Sequence, residues 1–258
     1  MPAIIPIPAL RDNYIWLVRD GAHAAVVDPG DAAPVLAYLE RERLALTGIV
    51  ITHHHWDHVN GIAALTARFP VPVYGPAHEA IPGRTHAVAE GDSFTLPQVG
   101  LELSVLDVPG HTSGQVSYVG KSDSTPIAFT GDTLFTCGCG RIFEGTPAQM
   151  LASLSKLAAL SGDTLVFCGH EYTLANLRFA LAVEPGNPAL YERQRREAAK
   201  RDRDLPTVPS RIDEERATNP FLRAAEPAVF AAAQKHAGQP LADAVDAFAT
   251  LREWKNNF

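Results

Sequence analysis

Seven consecutive residues, Thr52-His53-His54-His55-Trp56-Asp57-His58, constrain this chain more than any other feature. They contain the pattern H-x-H-x-D-H at His53, His55, Asp57 and His58. Neutral imidazole is the commonest metal ligand. Three imidazoles and a carboxylate packed this closely suit chemistry better than packing. The apolar run Leu46-Thr47-Gly48-Ile49-Val50-Ile51 just before them reads as a buried strand, and Ile62, Leu65 and Phe69 just after have helical spacing. The cluster is therefore expected on a turn between a strand end and a helix start, at the edge of a rigid scaffold where active-site loops collect.

Three later segments share one grammar: a β segment, a glycine, then a ligand-type residue. His111 follows Asp107-Val108-Pro109-Gly110, Asp132 follows Phe129-Thr130-Gly131, and His170 follows Val166-Phe167-Cys168-Gly169. Loops at the ends of neighbouring strands can converge on one site, and glycine lets the backbone turn sharply beside a ligand. Each segment alone is a weak signal; the three together, after H-x-H-x-D-H, are a strong one.

The first two-thirds of the chain alternates strand-like and helix-like stretches. Tyr14–Val18 and Ala24–Val27 read as strands, and Asp31 as the cap of a helix carrying Val35, Leu36 and Leu39. Val71–Tyr74 is a further strand, and the stretch from Asp92 to Val119 suggests a meander. Pro126–Thr130 is again strand-like. Thr146-Pro147-Ala148-Gln149 is a capping-box start with proline at the first helical position, followed by Leu151, Leu154 and Leu157 on one face. Thr164–Cys168 is expected to be the last strand. Beyond Thr173 the texture becomes helical, broken by prolines and dense in charge from Glu192 to Arg203. These readings give an α/β catalytic domain over residues 1–172 and a smaller α-helical domain over 173–258.

Composition bounds the function. With 46% hydrophobic and 20% charged residues, the 258-residue chain is an ordinary soluble globular one. A net charge of −7 argues against a nucleic-acid surface and against attraction to anionic membranes. There is no apolar run long enough to span a bilayer. The start Met1-Pro2-Ala3-Ile4-Ile5-Pro6-Ile7-Pro8 lacks the pattern of a signal peptide. Three cysteines, Cys137, Cys139 and Cys168, are too few for a disulfide framework, so a cytoplasmic location is expected.

The order H-x-H-x-D-H, His, Asp, His resembles the metallo-β-lactamase fold superfamily, and further stretches narrow the resemblance to the hydroxyacylglutathione hydrolases, or glyoxalase II. These are Asp12-Asn13-Tyr14, Gly131–Phe135, Cys139–Thr146, Gly169–Thr173, Thr218–Arg223 and Arg252-Glu253-Trp254-Lys255. The resemblance implies an αββα sandwich followed by a helical substrate-binding domain. It implies two divalent metal ions, zinc first, with iron or manganese as alternatives. His53, His55 and His111 would hold one metal, Asp57, His58 and His170 the other, and Asp132 would bridge them. It also implies the chemistry: a hydroxide between the metals hydrolyses S-(2-hydroxyacyl)glutathione thioesters, S-D-lactoylglutathione first, to glutathione and D-lactate, a step of methylglyoxal detoxification. Asp57 and Asp132 are the catalytic candidates. Arg141, Phe143, Tyr172, Arg252 and Lys255 are the substrate-binding ones. Phe143 stands where some relatives have a tyrosine, which removes one hydroxyl contact to glutathione. Asn60 stands where many have glycine after the D-H pair. The chain is expected to act as a monomer on this small-molecule partner, without nucleic acid or membrane.

Other readings compete. A β-lactamase of this fold commonly has cysteine where Asp132 stands. A nucleic-acid phosphodiesterase is disfavoured by the negative charge. An iron-dependent persulfide dioxygenase generally uses one metal and lacks the Arg-x-x-Lys tail. A non-catalytic metal-binding protein fits poorly with ligands for two ions. His54 is expected to point away from its ligand neighbours, and His23, His78, His86 and His236 to be surface or structural residues. Cys137-Gly138-Cys139 reads as loop geometry, since no second cysteine pair completes a metal site.

Overall fold

The computed structural model of the chain describes residues 2–258; Met1, the first residue of the N-terminal reading above, lies outside the described residues. In chain order the elements begin with β1 (Ala3–Ala9), β2 (Asn13–Asp20), β3 (His23–Val27), α1 (Ala32–Glu42), β4 (Ala45–Val50), α2 (Trp56–Val59), α3 (Ile62–Arg68), β5 (Val73–Pro76) and β6 (His86–Val88). There follow β7 (Ser93–Thr95), β8 (Glu102–Asp107), β9 (Val116–Ser122), β10 (Thr125–Gly131), β11 (Leu134–Phe135), β12 (Gly138–Cys139), α4 (Pro147–Ala158) and β13 (Leu165–Cys168). The rest is α5 (Thr173–Val183), α6 (Pro188–Arg201), β14 (Ser210–Arg211), α7 (Ile212–Thr218), α8 (Pro227–Ala237) and α9 (Ala244–Asn256). Contacts divide the chain into two compact units that interleave in sequence. The first holds the residues up to Asp107, Ser113–Gly131 and Phe167–His170; the second holds Val108–Thr112, Asp132–Val166 and Glu171–Phe258.

In the first unit one sheet runs β1-β2-β3-β4-β5-β6. Its first three strands are antiparallel, and β3 to β6 are parallel, with Ile49 opposite Val73 and Val50 opposite Tyr74. Parallel strands are usually covered on both faces, and the residues of β2 from Asn13 to Val18 are all buried. One face packs on α1 and α3, where Val35, Leu39, Ile62 and Leu65 meet Ile15, Leu17, Val26 and Ile49. Each such side chain contributes about 1.5–3 kcal/mol by leaving water. A second sheet of this unit runs from the end of β13 through β10, β9 and β8 to β7, the antiparallel meander that the sequence suggests. Two polar ties fix the sheets to one another: Tyr118 Oη donates to the Ile51 carbonyl at 2.6 Å, and Trp16 Nε1 donates to the Cys168 carbonyl at 2.9 Å. The indole also packs edge-on against Phe167, with ring centroids 4.9 Å apart.

Local signals act as their chemistry predicts. Asp31 caps α1 by accepting from the Ala33 N–H. Thr146 and Gln149 form the reciprocal capping box of α4, with Pro147 at its start. The buried face of α4 carries Met150, Ser153, Leu154 and Leu157, while Leu151 is only partly buried. Met150 thus takes the core position that the leucine spacing assigns to Leu151.

The second unit is mainly helical, with the β11–β12 hairpin pairing Leu134 with Cys139. Thr164–Cys168 is not the last strand: Ser210 and Arg211 of β14 pair with Val166 and Leu165. Below that strand Arg193, buried in α6, pairs with the buried Glu215 of α7 and donates to Ser210 Oγ at 2.7 Å. Glu215 also accepts from the Cys137 N–H at 2.8 Å and from Asn219 Nδ2 at 2.9 Å. This network ties the helices to the hairpin. No helix among the described residues is long and apolar enough to cross a membrane.

Candidate metal centre

The first unit brings His53, His55, Asp57, His58 and His170 together. His53, His55 and Asp57 lie between the end of β4 and the first turn of α2, and His170 lies two residues beyond β13. Glycine shapes this end of the sheets: Gly131 closes β10 with φ +48°, and a Cβ there would stand 2.4 Å from Thr52 Oγ1. A side chain would push Thr52 off the loop that carries the ligands.

Asp57, His58 and His170 each offer one ligand atom, all within 4.8 Å of one another. Asp57 Oδ2 stands 3.7 Å from His58 Nε2 and 3.5 Å from His170 Nε2. These gaps are long for hydrogen bonds. They match the edge of a coordination tetrahedron, about 3.4 Å for ligand distances of about 2.1 Å. The donor set is imidazole and carboxylate without thiolate, which suits zinc, iron or manganese. The residues present therefore fit a divalent cation.

The other ring nitrogens explain why these edges face one another. His58 Nδ1 lies 3.0 Å from Asp28 Oδ2, and His170 Nδ1 lies 2.8 Å from Asp12 Oδ1. An imidazole that gives its Nδ1–H to a carboxylate keeps the lone pair on Nε2 and has its ring plane fixed. Asp28 is buried and also accepts from the Thr52 N–H and Thr52 Oγ1, both at 2.7 Å. Thr52 Oγ1 in turn lies 3.0 Å from His53 Nδ1. Asn13 Nδ2 donates to Asp57 Oδ2 at 3.0 Å. His53 Nε2 and His55 Nδ1 are 3.2 Å apart. His54 turns its Nδ1 to Oε2 of the buried Glu79 at 2.9 Å, while its ring centroid stays 5.1 Å from that of His55.

In the second unit His111 and Asp132 form a pair, with Nε2 to Oδ2 at 3.4 Å. His111 Nδ1 donates to the Arg141 carbonyl at 2.7 Å, so its Nε2 likewise carries the lone pair. Gly140 makes room for this pair, since a Cβ there would sit 1.9 Å from the Asp132 carbonyl oxygen and 3.1 Å from His111 Nδ1.

The substrate-binding candidates also lie in the second unit. Arg141 and Phe143 are exposed on the loop after β12, and the Phe143 ring centroid is 5.3 Å from that of His111. Tyr172 is half-buried at the start of α5, edge-on to Phe135. Arg252 and Lys255 share α9, as their spacing predicts. Arg252 is buried: it donates from Nη1 to the Cys139 carbonyl at 2.8 Å, and its guanidinium lies 4.9 Å from the Phe221 ring centroid. Lys255 is pushed below its ordinary value of 10.5 by burial first, then by Arg252, Arg178 and Arg141. Cys137 and Cys139 are buried in the hairpin, where burial drives the Cys137 thiol up to about 12. Both thiols lie packed inside the hairpin.

Asp28, Asp12 and Glu79, which partner the candidate ligands and His54, escape a reading of the sequence as functional residues. A usable signal exists for Asp28, which opens Asp28-Pro29-Gly30 directly after β3, the same strand-end position that the ligands occupy.

Residues 9–170 match the metallo-beta-lactamase superfamily, and residues 171–258 match the hydroxyacylglutathione hydrolase C-terminus. A hydroxyacylglutathione hydrolase of Alkalilimnicola ehrlichii is 57% identical over 258 residues, with 99% of each chain covered. Those of Cupriavidus taiwanensis and Nitrosomonas europaea are 56% and 51% identical; the first is covered over 100% of both chains, the second over 99% of this chain and 96% of the relative. The chain belongs to the hydroxyacylglutathione hydrolase family. It is accordingly a hydrolase with the metallo-β-lactamase fold. Among solved structures, ETHE1 from Myxococcus xanthus superposes with a TM-score of 0.66 at 26% identity, covering 99% of both chains. The BLEG-1 B3 metallo-beta-lactamase, at 24% identity and a TM-score of 0.64 over 85% of this chain and 99% of that one, shares the fold. Family and donor geometry together make this a divalent-metal-binding protein.

Proposed function

We propose that this chain hydrolyses S-(2-hydroxyacyl)glutathione thioesters, with S-D-lactoylglutathione the leading substrate and glutathione and D-lactate the products. The observation that carries the reading is the identity of 51–57% to hydroxyacylglutathione hydrolases over nearly the whole chain, ligand segments and helical tail included. The Asp57, His58 and His170 geometry supports it with a donor set ready for a cation.

Following the family pattern, His53, His55 and His111 would hold one metal, Asp57, His58 and His170 would hold the other, and Asp132 would contribute to both. When bound there, a divalent cation, zinc or else iron or manganese, would supply Lewis acidity toward water and the thioester carbonyl. The chain's own residues do the rest. Asp57, steadied by Asn13, orients the attacking water. Asp28 and Asp12 keep His58 and His170 presenting Nε2. The leaving group is a thiolate, whose acid has a pKa near 8.5 on the cysteine scale, so no strong proton donor is required.

Arg141, Arg252 and Lys255 provide cations for the carboxylates of glutathione, and Tyr172 a hydroxyl for its peptide backbone. Phe143 offers ring surface where a tyrosine would add a hydrogen bond. The functional division falls near residue 172, and the enzyme works as a cytoplasmic monomer on a small molecule, without nucleic acid or membrane.

The test is a hydrolysis assay on S-D-lactoylglutathione, a cephalosporin and a bis-aryl phosphodiester, each with and without chelator. Turnover of the thioester alone, lost with chelator, is the expected result. A preference for either of the other two overturns the reading.

A further inference from the structure

The second unit gathers four cations that the sequence scatters over more than a hundred positions. Lys255 reaches from α9 onto α5: its Nζ donates to the Ala175 carbonyl at 3.4 Å and stands 5.6 Å from the Phe179 ring centroid. Arg178 is three residues after Ala175 and one before Phe179, so it sits on the stretch of α5 that Lys255 crosses. Its side chain is exposed, and no carboxylate among the described residues pairs with it. The charged groups that act most strongly on Lys255 are the guanidiniums of Arg252, Arg178 and Arg141. Arg252 is buried, and its Nε has no hydrogen-bond partner. Like charges gathered without an acid repel one another. In a chain of net charge −7, such a cluster marks a place that an anion completes.

We propose that Arg178 is a specificity-determining residue, reading the glycine carboxylate of a glutathione thioester from the exposed side of the Arg141, Arg252 and Lys255 cluster. The inference rests on the thioester reading above and deepens it. Glutathione has two carboxylates. The one on its γ-glutamyl end carries an ammonium beside it and is locally neutral; the glycine carboxylate has no such partner and is the stronger match for cations alone. Arg252 and Lys255 are partly used within the protein, by the Cys139 and Ala175 carbonyls. Arg178 has its whole guanidinium available, and a planar fork of donors suits a carboxylate.

The experiment compares S-D-lactoylglutathione with its glycine ethyl ester in the parent enzyme and in Arg178→Ala, Arg178→Lys and Arg178→Glu. Arg195→Ala, an exposed arginine of α6, controls for loss of a distant positive charge. Arg178→Ala is expected to raise KM for the free acid about three- to fivefold at low salt, with kcat kept, the pattern of lost uniform binding. KM for the ester should stay at the parent value. Arg178→Lys should recover most of the loss, and Arg178→Glu should deepen it. Equal KM changes on acid and ester, no change on either, or the same change from Arg195→Ala would each overturn the proposal. A parent enzyme that leaves both thioesters intact would instead overturn the reading beneath it, so the two failures are distinct.

Discussion

Asp28→Asn separates the two things that Asp28 does. The residue holds a left-handed backbone with φ +53°, rare outside glycine but tolerated by aspartate and asparagine. Asparagine therefore preserves the turn and changes only the carboxylate. In the parent, that carboxylate takes two donors from Thr52 at 2.7 Å and faces His58 Nδ1 at 3.0 Å. An amide offers one oxygen and an NH2 in place of two acceptor oxygens. If the oxygen keeps Thr52, the NH2 meets the Nδ1–H of His58, and the ring must shift its proton to Nε2 or turn. Either outcome removes the Nε2 lone pair from the position 3.7 Å from Asp57 Oδ2. Loss of such an orienting partner lowers metal affinity about 10–100-fold, or about 1.4–2.7 kcal/mol. Losing a charge-assisted hydrogen bond in a buried place costs a similar amount of stability, about 1.5–3 kcal/mol. The assay is zinc titration of the apoprotein against a chromogenic chelator, with circular dichroism to verify the fold. A variant that folds and binds every zinc equivalent within twofold of the parent would refute the claim that Asp28 sets the orientation of His58.

Two further outcomes are expected. Glu215→Ala strips the buried partner from Arg193 and leaves it with the partly exposed Glu214, 3.6 Å from its Nε, so thermal or urea unfolding should show a loss of about 3 kcal/mol, whereas Arg211→Ala, which breaks the exposed pair with Asp213, should cost no more than about 1 kcal/mol. Lys255 has a folded-state pKa below that of the unfolded chain, so its charged form opposes folding below that pKa and the opposition lifts as pH rises through it; anion binding runs the other way, so KM for S-D-lactoylglutathione should begin to rise at a pH lower than an ordinary lysine at 10.5 would give, and Lys255→Arg should move that rise to higher pH.

The strand-and-turn setting of the candidate ligand segments was legible because its grammar is local. A strand, a glycine and a donor occupy a few adjacent residues, and the backbone turn they imply is the turn observed at Gly131-Asp132 and Gly169-His170. The capping box at Thr146 was legible for the same reason. What orients the ligands was not, because the partners lie far apart in sequence: Asp12 serves His170 across 158 positions, and Asp28 serves His58 across 30. Strand β14 is only two residues long and follows a proline, and its partners Leu165 and Val166 lie more than forty positions earlier in the chain. The charged run from Glu192 to Arg203 looks like a solvated helix, yet Arg193 and Glu197 are buried. Helical spacing places Arg252 and Lys255 on one face, and only the packing shows that Arg252 lies against Cys139 and Phe221.

The most direct measurement is a metal titration of chelator-stripped enzyme, following bound metal and hydrolysis of S-D-lactoylglutathione together as zinc, iron or manganese is added. The stripped protein is expected to show no turnover and to reach full activity at two equivalents per chain, with Asp132→Ala folded but inactive at any metal concentration. Full activity in the stripped protein, saturation at one equivalent, or near-normal kcat in Asp132→Ala would contradict it.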